Sequence, residues 1–110
     1  MGGGQGDSAE EDAVKIVILR SAIEDLVRGR EFYEKQGEGL GDYFDEALAA
    51  DIESLRLYAG IHVMANGYCR MLSAKFPYAV YYEIVAEQIR IRAVLDCRCD
   101  PKWIRSRLQS

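Results

Sequence analysis

The chain has 110 residues, 49% of them hydrophobic and 29% charged, with a formal net charge of −4; this suits one globular domain around one core. No apolar run approaches the roughly 20 residues that span a bilayer, and Met1 to Asp12 lacks the basic and apolar regions of a signal peptide. A cytoplasmic protein without a membrane partner is therefore expected.

Residues 1–12 carry four acids, Asp7, Glu10, Glu11 and Asp12, and no Lys or Arg. Being Gly-rich and nearly devoid of apolar side chains, they are expected to form a disordered tail, because nothing there offsets the entropy of ordering. Residues 13–110 form the single expected domain. Its charge is balanced but polarised: residues 13–59 hold 6 basic and 10 acidic side chains, residues 60–110 hold 8 basic and 4 acidic. The second half is thus the candidate face for an acidic partner.

Val14 to Leu19 is β-branched and nearly continuous in apolar character, which predicts a strand covered on both faces. Ser21 with Glu24 three residues later predicts a capping box. A helix over about 22–36 follows, ending before Gly37-Glu38-Gly39. A second helix is predicted over about 40–58, with Leu40, Phe44, Ala47, Leu48, Asp51, Ile52 and Leu55 at three- and four-residue spacings. All of these but Asp51 are apolar. The short link makes the two helices an antiparallel hairpin.

From Gly60 the period changes. Asn66-Gly67 is a turn signal. Tyr68–Ala74, Ala79–Val85 and Ile89–Asp96 read as strands of an antiparallel meander, interrupted at Phe76-Pro77-Tyr78 because proline lacks the ladder donor. In the last strand Ile89, Ile91, Ala93 and Leu95 are expected on one face and Arg90 and Arg92 on the other. Asp100 is a natural cap and Pro101 suits a first helical position. They open a short basic helix anchored by Trp103 with Ile104 or Leu108. The expected fold is α+β: β-α-α-β-β-β, a helical hairpin on a small antiparallel sheet, closed by a short helix.

Cys69, Cys97 and Cys99 are odd in number, which reads as reduced thiols. Cys97 and Cys99 form a C-x-C pair, but no second pair or histidine stands at ligand spacing, so neither a metal nor a cofactor is expected. The lone histidine, His62, is expected as an exposed polar residue.

Several strings resemble the ParE/RelE toxin superfamily of type II toxin–antitoxin and plasmid-stabilisation proteins. Phe32-Tyr33-Glu34-Lys35-Gln36 followed by Gly39-Leu40-Gly41 resembles the family's hairpin junction, and Phe44 with Ala47-Leu48 continues its second helix. Lys75-Phe76-Pro77-Tyr78-Ala79-Val80-Tyr81-Tyr82 is similar to the string R-F-P-Y-x-V-x-Y. Arg98-x-Asp100-Pro101 resembles the closing H-x-R-R-D-P. The likeness covers residues 14–105 and implies a toxin held by a cognate antitoxin. Members of the ParE kind poison DNA gyrase, and RelE members cleave mRNA on the ribosome.

Cleavage of RNA needs cations for the phosphate and groups that move protons at the 2′- and 5′-oxygens. The sequence offers Arg70, Arg90, Arg92 and Arg98 as cations and target-binding candidates, with Arg90 and Arg92 also readable as a solvated sheet face. Cys97 stands where many relatives hold His, Cys99 replaces a further basic residue, and no Tyr or His follows Tyr82. A binding toxin of the ParE kind is therefore expected. A RelE-like endoribonuclease and a degenerate, non-toxic member are the alternatives. The catalytic residues, if any, stay open.

Overall fold

The computed structural model describes residues 14–110, so the expected tail over residues 1–12 lies outside the described residues. Within them run β1 (Lys15–Ile18), α1 (Arg20–Glu34), α2 (Leu40–Glu53), α3 (Leu55–Tyr58), β2 (Met64–Ala65), β3 (Tyr68–Leu72), β4 (Tyr78–Val85), β5 (Gln88–Asp96) and α4 (Pro101–Gln109). The strands form one sheet in the order β1-β5-β4-β3-β2. β2 to β5 pair antiparallel in sequence, as a meander must, and β1 pairs parallel to β5. The α+β architecture follows the sequence reading, but the sheet is mixed. β1 is also an edge strand, half-buried rather than covered on both faces, because only its Ile16 and Ile18 reach the core under the hairpin.

α1 and α2 make the hairpin, with Phe44, Leu48, Ile52 and Leu55 of the predicted stripe buried against Val80, Tyr82 and Ile91 of the sheet. The second helix is not continuous to residue 58. Ser54 stands between α2 and α3 in place of the fifteenth helical residue, its Oγ donating to the Asp51 carbonyl (2.6 Å); such back-bonding competes with the helical ladder. Asp51, the single acid in the stripe, accepts from Ser73 Oγ (2.6 Å) and from the Ala74 N–H (3.3 Å), so it orders the loop after β3. In that loop Phe76 wedges between Tyr33 and Phe44, ring centroids 4.7 and 5.1 Å away. The Phe-Pro-Tyr string is thereby accounted for by packing, with Tyr78 5.0 Å from Phe44 in the same aromatic cluster.

The capping box at Ser21 does not form. α1 begins two residues earlier, at Arg20 with Leu19 in the cap position and no side-chain cap, and Ser21 Oγ instead donates to the Arg92 carbonyl across the layer (2.9 Å). The cause lies in the sheet: β1 pairs with β5 only as far as Ile91, leaving the β5 edge beyond it open. α1 takes over that edge, Asp25 Oδ2 accepting the Val94 N–H (3.0 Å) while Ser21 serves Arg92. Buried backbone groups without such partners would cost about 1–3 kcal/mol each.

β5 carries a second departure. Tyr81 opposes Ala93 while Tyr82 opposes Ile91, so Arg92 is an extra residue in a β-bulge. A bulge shifts the side-chain parity of everything after it. Ile89 and Ile91 therefore face the hairpin, whereas Ala93 and Leu95 face the opposite side with Ala79 and Tyr81. The alternation read from sequence breaks in the middle of its own strand. α4 covers this second face with Ile104 and Leu108, both buried, while Trp103 stays 49% exposed, outside that cluster, at the rim of a groove with Phe32 and Leu95. Asp100 caps α4 as expected, accepting from the Lys102 N–H (2.8 Å).

Candidate functional site

The four arginines singled out by sequence do not form one surface. Arg70, on β3, and Arg90, on β5 before the bulge, lie on the sheet face turned away from the hairpin. Arg70 Nε donates to the Tyr81 hydroxyl (3.2 Å) and its Nη2 lies 3.5 Å from Cys97 Sγ. The Tyr81 hydrogen bond raises the Arg70 pKa further above its already high ordinary value. Arg90 stands in register between Val17 of β1 and Glu83 of β4, and its buried Nε has no partner among the described residues.

Arg92 and Arg98 are engaged elsewhere. Arg92 donates to Ser21 Oγ (3.0 Å) and to the carbonyls of Arg107 (3.3 Å) and Ser110 (2.6 Å), closing the C-terminal end of α4, where carbonyls lack helical partners. Its guanidinium is thus engaged within the fold rather than standing on a solvated face. Arg98 clasps Asp96 with two hydrogen bonds, 2.9 and 2.7 Å, in the loop after β5. These bonds hold the Asp96 carboxyl below its ordinary value. Nearby, burial pushes the Tyr78 phenol up to about 12, with the charge of Asp96 and the neighbouring Tyr33 adding to it.

Three features were not read from sequence. Tyr81 joins Arg70, yet it is only 3% exposed, so its hydroxyl is not available to an incoming ribose. His62 is half-buried rather than exposed, its Nδ1 2.6 Å from the Tyr82 hydroxyl on the hairpin side of the sheet. Finally, an apolar run stays uncovered on α3 and the loop to β2: Leu57 is 80% exposed, Ile61 73% and Val63 70%. The signal for it lay in the string Leu57-Tyr58-Ala59-Gly60-Ile61, where apolar residues continue after the helical period ends.

Two shallow grooves flank β1. One of about 470 Å³ lies between hairpin and sheet, floored by Ile16, Ile18, Leu26 and Ile52. The other, about 340 Å³, is lined by Val14, Leu55, Leu57, Ile84 and Ile89. Arg56 lines both, and its guanidinium donates to the Val14 carbonyl (3.1 Å). Among the described residues no group of three His, Cys, Asp or Glu side chains is placed to hold a metal, and no helix is long and apolar enough to cross a membrane.

No protein-family model matches the chain, and no curated protein matches it significantly in sequence. A solved structure does match in shape: "Chromosomal ParDE TA system from P. aeruginosa", at TM-score 0.63 and 13% identity, covering 74% of this chain and 94% of that one. The chain has a ParE-like fold. At 13% identity the likeness is one of backbone arrangement, while most side chains differ. The first sheet face carries the core of this ParE-like fold. The second carries Arg70 and Arg90, the two expected cations not tied up in closing the structure.

Proposed function

We propose that the chain is the toxin component of a type II toxin–antitoxin system, ParE-like, acting in the cytoplasm by binding its target and neutralised by a cognate antitoxin. The observation that carries this reading is the ParE-like fold, which accounts for 94% of a chain from the ParDE system. Binding is favoured over cleavage by the make-up of the second sheet face. Arg70 and Arg90 supply positive charge there, but Tyr81 is buried and His62 lies on the other side of the sheet. A cationic surface that offers neither the Tyr81 hydroxyl nor the His62 ring can still hold an acidic partner, but it lacks two of the groups that could supply the roughly 10²–10⁴-fold of general acid–base catalysis. The resemblance makes DNA gyrase the target of choice. The grooves beside β1 and the apolar run from Leu57 to Val63 suit the antitoxin, since a partner that inserts apolar anchors would cover them.

Inducible expression tests this reading. Growth arrest relieved by the neighbouring antitoxin frame, with gyrase supercoiling inhibited and mRNA intact, is expected. Arg90→Glu is expected to weaken gyrase inhibition while circular dichroism stays unchanged. A second reading, ribosome-dependent mRNA cleavage, draws on the contact between Arg70 and Tyr81. Codon-specific cleavage on programmed ribosomes, abolished by Arg70→Ala, would establish it instead. Expression without any arrest would mark a degenerate, non-toxic member.

A further inference from the structure

The hairpin joining β2 to β3 gathers a set of soft donors that the proposed function does not use. Asn66 and Gly67 both adopt left-handed backbone, φ 55 and 87, as a two-residue type I′ turn requires. That turn sets Met64 directly opposite Cys69, and their sulfur atoms lie 3.6 Å apart. Pairing continues past β2, because the Arg70 N–H donates to the Val63 carbonyl (2.9 Å). The chain bends at His62, and the ring turns to the hairpin side of the sheet, the side that Met64 shares with Cys69. Cys69 is in turn opposite Tyr82, whose hydroxyl lies 2.6 Å from His62 Nδ1 and accepts the Gly60 N–H (2.9 Å). One hydroxyl therefore ties the histidine to the row that holds both sulfurs.

We propose that Cys69, Met64 and His62 form a binding site for a soft monovalent metal ion of the Cu(I) or Ag(I) class. Thiolate and thioether ligands select such ions over the harder divalent ones. Two sulfurs each about 2.3 Å from a shared ion at trigonal angles would stand about 4.0 Å apart, a few tenths of an ångström from the spacing already present. Met64 is 64% exposed, so the site opens to solvent. Tyr82 holds the histidine through Nδ1, which leaves Nε2 as the ligand; a second-shell hydrogen bond of this kind fixes the ring of a metal-bound histidine. Binding replaces the Cys69 thiol proton, which passes to solvent. Zinc does not suit the site, because structural zinc wants four thiolate, imidazole or carboxylate ligands. The expectation of no metal rested on Cys97-x-Cys99 and on zinc, and this site departs from it at other residues and for another class of ion. The bound ion fastens the segment from His62 to Met64 onto β3.

The test is an anaerobic Cu(I) titration of the full chain against a chromophoric Cu(I) chelator, in a Cys97→Ser/Cys99→Ser background so that the C-x-C pair contributes nothing. One equivalent is expected. Cys69→Ser should weaken affinity about 100-fold, and Met64→Leu and His62→Gln each about 10-fold, with unchanged circular dichroism. Ag(I), added to the same background, should shift the Met64 methyl and His62 ring resonances. Uptake that survives Cys69→Ser, or no uptake by the double-serine background, overturns the proposal. Both readouts are independent of toxicity.

Discussion

Asp25 is the point at which the two faces of the sheet are joined, and its removal gives the sharpest stability prediction. The side chain is 3% exposed and accepts from Arg107 Nη2 (2.6 Å), Arg28 Nη2 (2.6 Å) and the Val94 N–H (3.0 Å). Arg28 lies largely in solvent and contributes little. Arg107 is mostly buried, and the same nitrogen also donates to the Ser21 carbonyl (3.1 Å). Asp25→Ala leaves that guanidinium without its counter-charge and orphans a buried N–H, a loss of about 3–5 kcal/mol. Asp25→Asn keeps an acceptor for Val94 and should cost roughly half as much. Urea unfolding at constant slope measures both, and each kcal/mol should appear as about 4–8 °C in Tm. With Arg107→Ala the double-mutant cycle should return a coupling of about 1 kcal/mol or more. A loss below about 1 kcal/mol for Asp25→Ala, with the slope unchanged, would refute the reasoning: it would mean that the desolvation of this pair cancels its attraction.

Gly29→Ala places a Cβ 2.5 Å from Phe44 Cζ, so it should destabilise the hairpin by about 1–3 kcal/mol; Phe44→Leu in the same chain should recover part of the loss in urea melts. Tyr78 is expected to ionise near pH 12 against an ordinary value of 10.0. Its folded pKa is raised, so its contribution is complete below pH 10.0 and is lost as pH rises towards about 12. Phenolate absorbance should show this late step, and Tyr78→Phe should remove it; a step at the ordinary value would count against the buried phenol.

Much of the architecture was legible because local rules and tertiary packing agree. The stripe from Phe44 to Leu55 can bury itself on one face only, Asn66-Gly67 admits a tight hairpin, and Asp100-Pro101 starts a helix from its own atoms. The candidate site was less legible. Arg70 and Arg90 share a face, but Arg92 and Arg98 have the same side-chain chemistry and went to the end of α4 and to Asp96. Side-chain type fixes what an arginine can bind, while its neighbours in space fix what it does bind.

The sequence alone thus determined the type and order of the main elements, through periodicity, turn chemistry and capping residues that act within a few positions, while the short strand β2 and the break at Ser54 went unread. Where β1 stops along β5, and hence why α1 must serve the Arg92 carbonyl and the Val94 N–H, depends on strands about seventy residues apart. The bulge at Arg92 depends on the same packing: one extra residue there turns Ala93 and Leu95 to the opposite face from Ile89 and Ile91. A period-two pattern cannot record such a reversal, because it is set by the pairing partner and not by the strand's own side chains.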